Sequence, residues 1–167
     1  MSTEYVILVD DSDNELGVME KLQAHKEGKL HRAFSVFLFN DEGELLLQQR
    51  ALDKYHSAGL WTNTCCSHPR PGETIMDAAN RRLHEEMGIT SDLIIKTSFV
   101  YKSPFENGLT EHELDYVLIG TYNLNPIINV EEVSDYKWQS LATIKENIKT
   151  RPDEFTTWFK IAIEKLF

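Results

Sequence analysis

The sequence predicts an α+β fold, a mixed β-sheet sandwich flanked by α-helices, and three observations carry that prediction. Strand-like apolar runs dominate the first two thirds of the chain, helical periodicity marks the remainder, and no repeat, low-complexity tract or Pro/Gly/Ser-rich linker divides it. At 167 residues the chain fits one domain, residues 1–167, long enough to bury a core without disulfides.

In chain order, EYVILVD near residues 4–10 reads as a strand, followed by a polar stretch containing MEKLQAHKEGKL. Residues 31–39 and 45–50, within HRAFSVFLFN and LLLQQR, are β-rich and joined by a short turn containing glycine, the signature of a hairpin. A loop of small and polar residues, DKYHSAGLWTNTCCSHPRPGE, leads into a helix from about Thr74 to Met87, with Gly88 as its stop. Strand-like runs follow at residues 93–102 and 112–122. The tail holds two helical segments, LATIKENIK and EFTTWFKIAIEKLF; in the second, Phe155, Trp158, Phe159, Ala162, Ile163 and Leu166 recur at helical spacing.

A hydrophobic fraction of 41% beside 26% charged residues is an ordinary globular composition. The formal net charge of −10 repels a phosphate backbone and argues against a nucleic-acid partner. An acidic protein that binds an anion must gather its few cations at one place or recruit divalent metals. Cys65 and Cys66 are sequence neighbours, a spacing that an ordinary disulfide reaches only with strain, so both read as free thiols of a reducing compartment. The first residues lack a basic region, and nowhere do about eighteen apolar residues run together, so neither export nor membrane insertion is expected and a cytoplasmic location follows.

Residues 67–89, SHPRPGETIMDAANRRLHEEMGI, resemble the Nudix box: Gly, five residues, Glu, seven residues, then R-E-U-x-E-E-x-G-U with U aliphatic. Glu73, Arg81, Leu83, Glu85, Glu86, Gly88 and Ile89 match, whereas Ser67 replaces the first Gly and Arg82 replaces a Glu. On a helix, Arg82 and Glu86 are four apart and project from one face. A Mg²⁺ held by Glu86 and diphosphate oxygens, with Arg82 alongside, would neutralise a bound anion. The bland alternative is a surface ion pair worth about 0.3–0.5 kcal/mol. Glu111 and Glu113, two apart on a predicted strand, face the same side and repel unless a divalent cation lies between them or both are solvated.

The segments AHKEGKLH, NTCCSHP and EHELDY, together with the box, are similar to the type I isopentenyl diphosphate isomerases of the Nudix superfamily, from about residue 3 to the end. The resemblance implies a Nudix-type fold and an isomerase of isoprenoid biosynthesis that interconverts isopentenyl and dimethylallyl diphosphate. It assigns His25, His31, His68, Glu111 and Glu113 to one site for a divalent metal, Mn²⁺ or Zn²⁺ or a second Mg²⁺. It makes Cys66 and Glu113 the acid/base pair, with Tyr101 assisting Glu113, and Trp158 the π face beside the carbocation, worth roughly 2 kcal/mol or more when desolvated. Lys21, Arg50 and Lys54 join Arg82 at the diphosphate. The implied partner is the small prenyl diphosphate alone, and the expected state is a monomer. His112 points to the opposite strand face and reads as structural; His56 and His84 match no ligand position and are expected at the surface; Cys65 reads as a buried, inert thiol.

Shifting that double bond means protonating an unactivated alkene to a tertiary carbocation and removing a proton from the neighbouring carbon, which demands an acid, a base and a dry pocket. Two rival readings use the same residues. A Nudix diphosphohydrolase is favoured by Glu73, Glu85 and Glu86 and opposed by Arg82 and the added histidines. A non-catalytic binding module with a structural zinc is opposed by the single adjacent cysteine pair, because structural zinc sites space paired cysteines two to four residues apart. Trp158 as plain core and Cys66 as a small buried hydrophobe remain the ordinary readings of those two residues.

Overall fold

A computed structural model describes residues 3–54 and 56–167. In chain order it forms strands β1 (Tyr5–Val9) and β2 (Glu15–Glu20), helix α1 (Lys21–Glu27), and strands β3 (His31–Phe39), β4 (Glu44–Arg50), β5 (Trp61–Thr62) and β6 (Cys65–Ser67). Helix α2 (Ile75–Met87), strands β7 (Ile94–Pro104), β8 (Thr110–Thr121) and β9 (Val133–Ser140), and helices α3 (Leu141–Thr150) and α4 (Thr157–Leu166) complete it. Among the described residues, no helix is long and apolar enough to cross a membrane.

The strands join in one mixed sheet in which β3 is the hub: it neighbours β1, β4 and β6, and it pairs in parallel with β8, while the other pairings are antiparallel. Successive β3 side chains enter two different cores. Phe34, Val36 and Leu38 lie with Ala78, Ala79, Leu83 and Met87 of α2, while Phe37 lies with Phe155 and with Phe159 and Ile163 of α4. Coverage of both faces explains why β3 reads as a nearly unbroken apolar run. Each such side chain contributes about 1.5–3 kcal/mol on burial.

The expected helix from Thr74 to Met87 forms with Thr74 as its cap, the hydroxyl accepting from the Asp77 N–H. Gly88 ends it in the left-handed conformation, φ 65°, which a residue with a Cβ adopts only at a cost. The hairpin strands, the strands at β7 and β8 and both tail helices appear where the sequence placed them.

Five elements fall where no strand or helix was expected. Strand β2 is exposed on both faces, so no alternation marks it; its register against β1, from Tyr5 opposite Glu20 to Val9 opposite Glu15, holds it. The seven-residue α1 is fixed by its ends, with the Glu20 carboxylate accepting from the N–H groups of Leu22 and Gln23 and Gly28 at φ 66°. Within the long loop, β5 and β6 span two and three residues, too few for a pattern, and Tyr55 of that loop lies outside the described residues. Strand β9 lies in the last third of the chain, where helices alone were expected, and pairs with β4.

The register sets out the site. Opposite His31 on β3 lies Glu113 of β8, opposite Glu113 lies Tyr101 of β7, and opposite Ser35 lies Cys66 of β6, so these side chains share one face of the sheet.

Candidate active site

Alternation along β8 places Glu111 and Glu113 on this face as expected, both buried. Helix α1 brings His25, β3 brings His31, and the residues after β6 bring His68. One donor atom from each of the five lies within 4.8 Å of the others. His25 Nδ1 is 2.7 Å from the Lys21 carbonyl and His31 Nδ1 is 2.9 Å from the Lys29 carbonyl. A carbonyl oxygen only accepts, so Nδ1 carries the proton in both rings. Each Nε2 of a neutral ring then offers a lone pair, at 3.0 Å from Glu111 Oε1 for His25 and 3.2 Å from Glu113 Oε2 for His31. Lone pair facing carboxylate is repulsive unless a cation, proton or metal, intervenes.

His68 Nε2 lies 2.7 Å from the same Glu113 Oε2, and Glu111 Oε2 is buried with no hydrogen-bond partner among the described residues. Burial would raise the Glu113 carboxyl, but positive charge on His68 and hydrogen bonds from protonated His31 and His68 rings hold it well below the ordinary carboxylate range, as a cation in the same place would. Burial likewise disfavours charge on His25, yet its bond to Glu111 leaves it raised, whereas burial wins at His68 and lowers it. Three imidazoles and two carboxylates with an orphaned oxygen fit a divalent ion.

On its other oxygen, Glu113 accepts the Tyr101 hydroxyl at 2.6 Å. Burial, aided by the Glu113 charge, pushes that phenol well above 10, so it remains a donor. Cys66 receives the Trp158 indole N–H at 3.2 Å from its Sγ, and burial pushes its thiol up to about 12. Trp158 is both core and pocket wall: α4 buries it, and the Arg50 guanidinium sits 5.2 Å from its ring centre. Cys65 enters the α2 core as expected, its thiol held well up by burial.

Lys21, Arg50, Lys54 and Arg82 line one cavity with Cys66 and Glu86. The Arg82–Glu86 pair forms through Nη2 at 2.7 Å and Nε at 3.0 Å, both to Oε2. At 16% and 7% side-chain exposure it is no solvated surface pair. Gln48 holds the other Glu86 oxygen at 3.0 Å. Two carboxylates that sequence reasoning missed also sit here: Glu4 pairs with Lys21 at 2.7 Å, and Glu132 pairs with Lys54 and, at 3.4 Å, with Arg82. Glu73 is engaged elsewhere, gripped by Arg81 through Nε at 2.8 Å and Nη2 at 2.9 Å, and Arg81 also takes Glu85 at 3.0 Å. The box therefore delivers one carboxylate, Glu86, to this cavity, and spends the others on fixing α2.

His56 corrects the expectation of a surface residue: it is 5% exposed, lines the same cavity, and lies with Nε2 3.2 Å from Glu111 Oε1. Its position in an irregular loop gave no periodic signal; the one hint was its place two residues after Lys54. His84 is exposed as expected, and His112 donates from Nδ1 to the Gly28 carbonyl at 3.1 Å, a structural contact.

Residues 29–159 match the NUDIX domain family. Over 163 residues the chain is 52% identical to Isopentenyl-diphosphate Delta-isomerase 2 of Photorhabdus laumondii subsp. laumondii, covering 98% of this chain and 92% of that protein. It is 49% identical over 161 residues to Isopentenyl-diphosphate Delta-isomerase of Pectobacterium atrosepticum, covering 96% and 90%. In fold it is similar to a crystal structure from Deinococcus radiodurans, with a TM-score of 0.83 at 19% identity over 98% of this chain and 99% of that one. It is also similar to a MutT protein from Methanosarcina mazei Go1, with a TM-score of 0.65 at 20% identity over 81% and 91%.

Proposed function

The chain belongs to the NUDIX domain family and, within it, to the isopentenyl-diphosphate Delta-isomerases, and from that premise we propose that Cys66 and Glu113 are its proton-transferring pair. The protein is an enzyme that interconverts isopentenyl diphosphate and dimethylallyl diphosphate. One proton is added to the terminal alkene carbon, giving a tertiary cation, and one is removed from the carbon on its other side.

The observation that carries the assignment is that Cys66 and Glu113 line one cavity with Tyr101 and Trp158. Burial keeps Cys66 a thiol, and its imidazole neighbours keep Glu113 a carboxylate, so the pair holds one exchangeable proton between them. One group gives a proton while the other takes one, and the roles exchange in the reverse direction. Tyr101 steadies the Glu113 oxygen that faces away from the histidines. Trp158 offers its π face to the cation and, with the buried surroundings, keeps water from it. Lys21, Arg50, Lys54 and Arg82 bind the diphosphate, with Lys21, Lys54 and Arg82 exchanging their present carboxylate partners for phosphate oxygens. A divalent ion at His25, His31, His68, Glu111 and Glu113, and a Mg²⁺ shared by Glu86 and the diphosphate, would supply charge neutralisation and draw electrons from the Glu113 carboxyl. Action as a single unit over residues 1–167, as a cytoplasmic monomer with only a small-molecule partner, belongs to the same proposal.

Incubation with isopentenyl diphosphate and Mg²⁺ tests it: the allylic isomer accumulates and phosphate is not released. Cys66→Ala abolishes turnover while fold and metal content remain. Phosphate release without the isomer, or metal loss and melting in Cys66→Ala, would overturn the assignment.

A further inference from the structure

Three buried histidines, His25, His31 and His56, point Nε2 at the paired carboxylates, but their far sides differ. His25 and His31 rest Nδ1 on backbone carbonyls, which puts the proton of the neutral ring on Nδ1 and a lone pair on Nε2. His56 rests Nδ1 on the Ser57 hydroxyl at 3.3 Å, and a hydroxyl can donate. Ser57 can therefore donate to Nδ1 and leave the ring proton on Nε2, facing a carboxylate oxygen 3.2 Å away.

We propose that His56 is a positioning residue of the metal centre, its Nε2–H donating to Glu111 Oε1 so that Glu111 Oε2 is presented to the ion. Oε2 is the buried atom of that carboxylate with no hydrogen-bond partner among the described residues. The ring is fixed for this task on several sides. It stacks on Phe105 at 5.2 Å and 10° and meets Trp158 edge-on at 5.9 Å and 88°. The Arg50 guanidinium donates to the His56 carbonyl at 3.2 Å, tying the residue to a cation of the diphosphate cavity. Ser57 holds its hydroxyl under Nδ1 from a left-handed backbone, φ 51°, a conformation a serine keeps only when its surroundings demand it. The chain Ser57 O–H to His56 Nδ1, His56 Nε2–H to Glu111 is the arrangement by which outer residues orient a metal ligand, and losing such a partner weakens metal binding roughly 10–100-fold.

The inference rests on the metal reading of the five-residue group, and Mn²⁺ affinity, measured by chelator competition on the full chain, separates the two. His56→Phe keeps the stacking ring and removes the donor; His56→Gln places an amide N–H near the position of Nε2. The account predicts Mn²⁺ affinity roughly 10–100-fold weaker in His56→Phe and within about threefold of the parent in His56→Gln. If the parent binds no Mn²⁺, the metal reading fails and the inference with it. If the parent binds and His56→Phe binds equally well, the inference alone fails. If His56→Gln is as weak as His56→Phe, His56 is itself a ligand and the positioning role is overturned. Should His56→Phe not fold, His56→Gln and Ser57→Ala decide: Mn²⁺ affinity retained in the first and weakened several-fold in the second supports the relay, and any other result rejects it.

Discussion

Replacing Tyr101 by Phe removes one oxygen from the pocket and little else, because the ring keeps its contact with Phe99, 6.0 Å between centres. The lost bond is short, 2.6 Å, buried, and made to a carboxylate, the class of hydrogen bond worth about 1.5–3 kcal/mol. Because burial holds the phenol protonated well above 10, the bond is present throughout any practical assay range. If Tyr101 steadies Glu113 during proton transfer, that energy is lost from the transition state, and kcat falls roughly 10- to 100-fold. The KM for isopentenyl diphosphate stays within about twofold, since Tyr101 is not among the cations of the cavity. Metal content also stays constant, because Glu113 faces its histidines through Oε2 while Tyr101 holds Oε1. Steady-state rates of allylic diphosphate formation, with metal analysis on the same samples, make the test. An unchanged kcat, or a raised KM at constant kcat, would refute the role.

Other consequences reach the helix and the pocket wall. Glu73→Gln loses the two-point grip of Arg81 and costs about 1–3 kcal/mol in denaturant unfolding at neutral pH. The Arg81 hydrogen bond lowers the Glu73 carboxyl below 4.5, so this stability is present above that pH and lost as pH falls through the folded value; parent and variant should converge in acid, and a constant gap would contradict the pairing. Gly88→Ala forces a side chain into φ 65° with its Cβ 2.7 Å from the Ile127 carbonyl oxygen, and should cost about 2 kcal/mol or more, seen as a Tm lower by about 4–8 °C. An unchanged Tm would refute the close approach. Trp158→Leu keeps an apolar side chain on α4 but removes the π face; a loss of about 2 kcal/mol of cation stabilisation lowers kcat roughly 30-fold with KM little changed, and an unaltered kcat would assign Trp158 to packing alone.

What could be read in the sequence follows from the range over which each signal acts. Strand β3 and helix α2 announce themselves because burial and capping are written within a dozen residues: an apolar run in one, Thr74 and Gly88 around a periodic stretch in the other. The Arg82–Glu86 contact was legible for the same reason, as helix geometry alone brings residues four apart together. Strand β2 was not, because its partner β1 fixes it while neither face is buried. Glu4 and Glu132 were equally hidden, since only the folded chain carries them from distant positions in the sequence to Lys21 and Lys54. The distinction among histidines is subtler. Resemblance singled out His25, His31 and His68, but whether a ring acts as ligand or donor depends on what its other nitrogen touches, a backbone carbonyl or the Ser57 hydroxyl, and no spacing encodes that.

The central claim is that protons are added and removed by side chains of this one cavity, and running the reaction in deuterium oxide tests it most directly. Isopentenyl diphosphate incubated in D₂O with Mg²⁺ should yield dimethylallyl diphosphate carrying solvent deuterium in its new methyl group, with formation of that labelled product abolished in both Cys66→Ala and Glu113→Gln. A product free of deuterium, labelled product from either variant at the parent rate, or diphosphate hydrolysis in place of isomerisation would contradict the account.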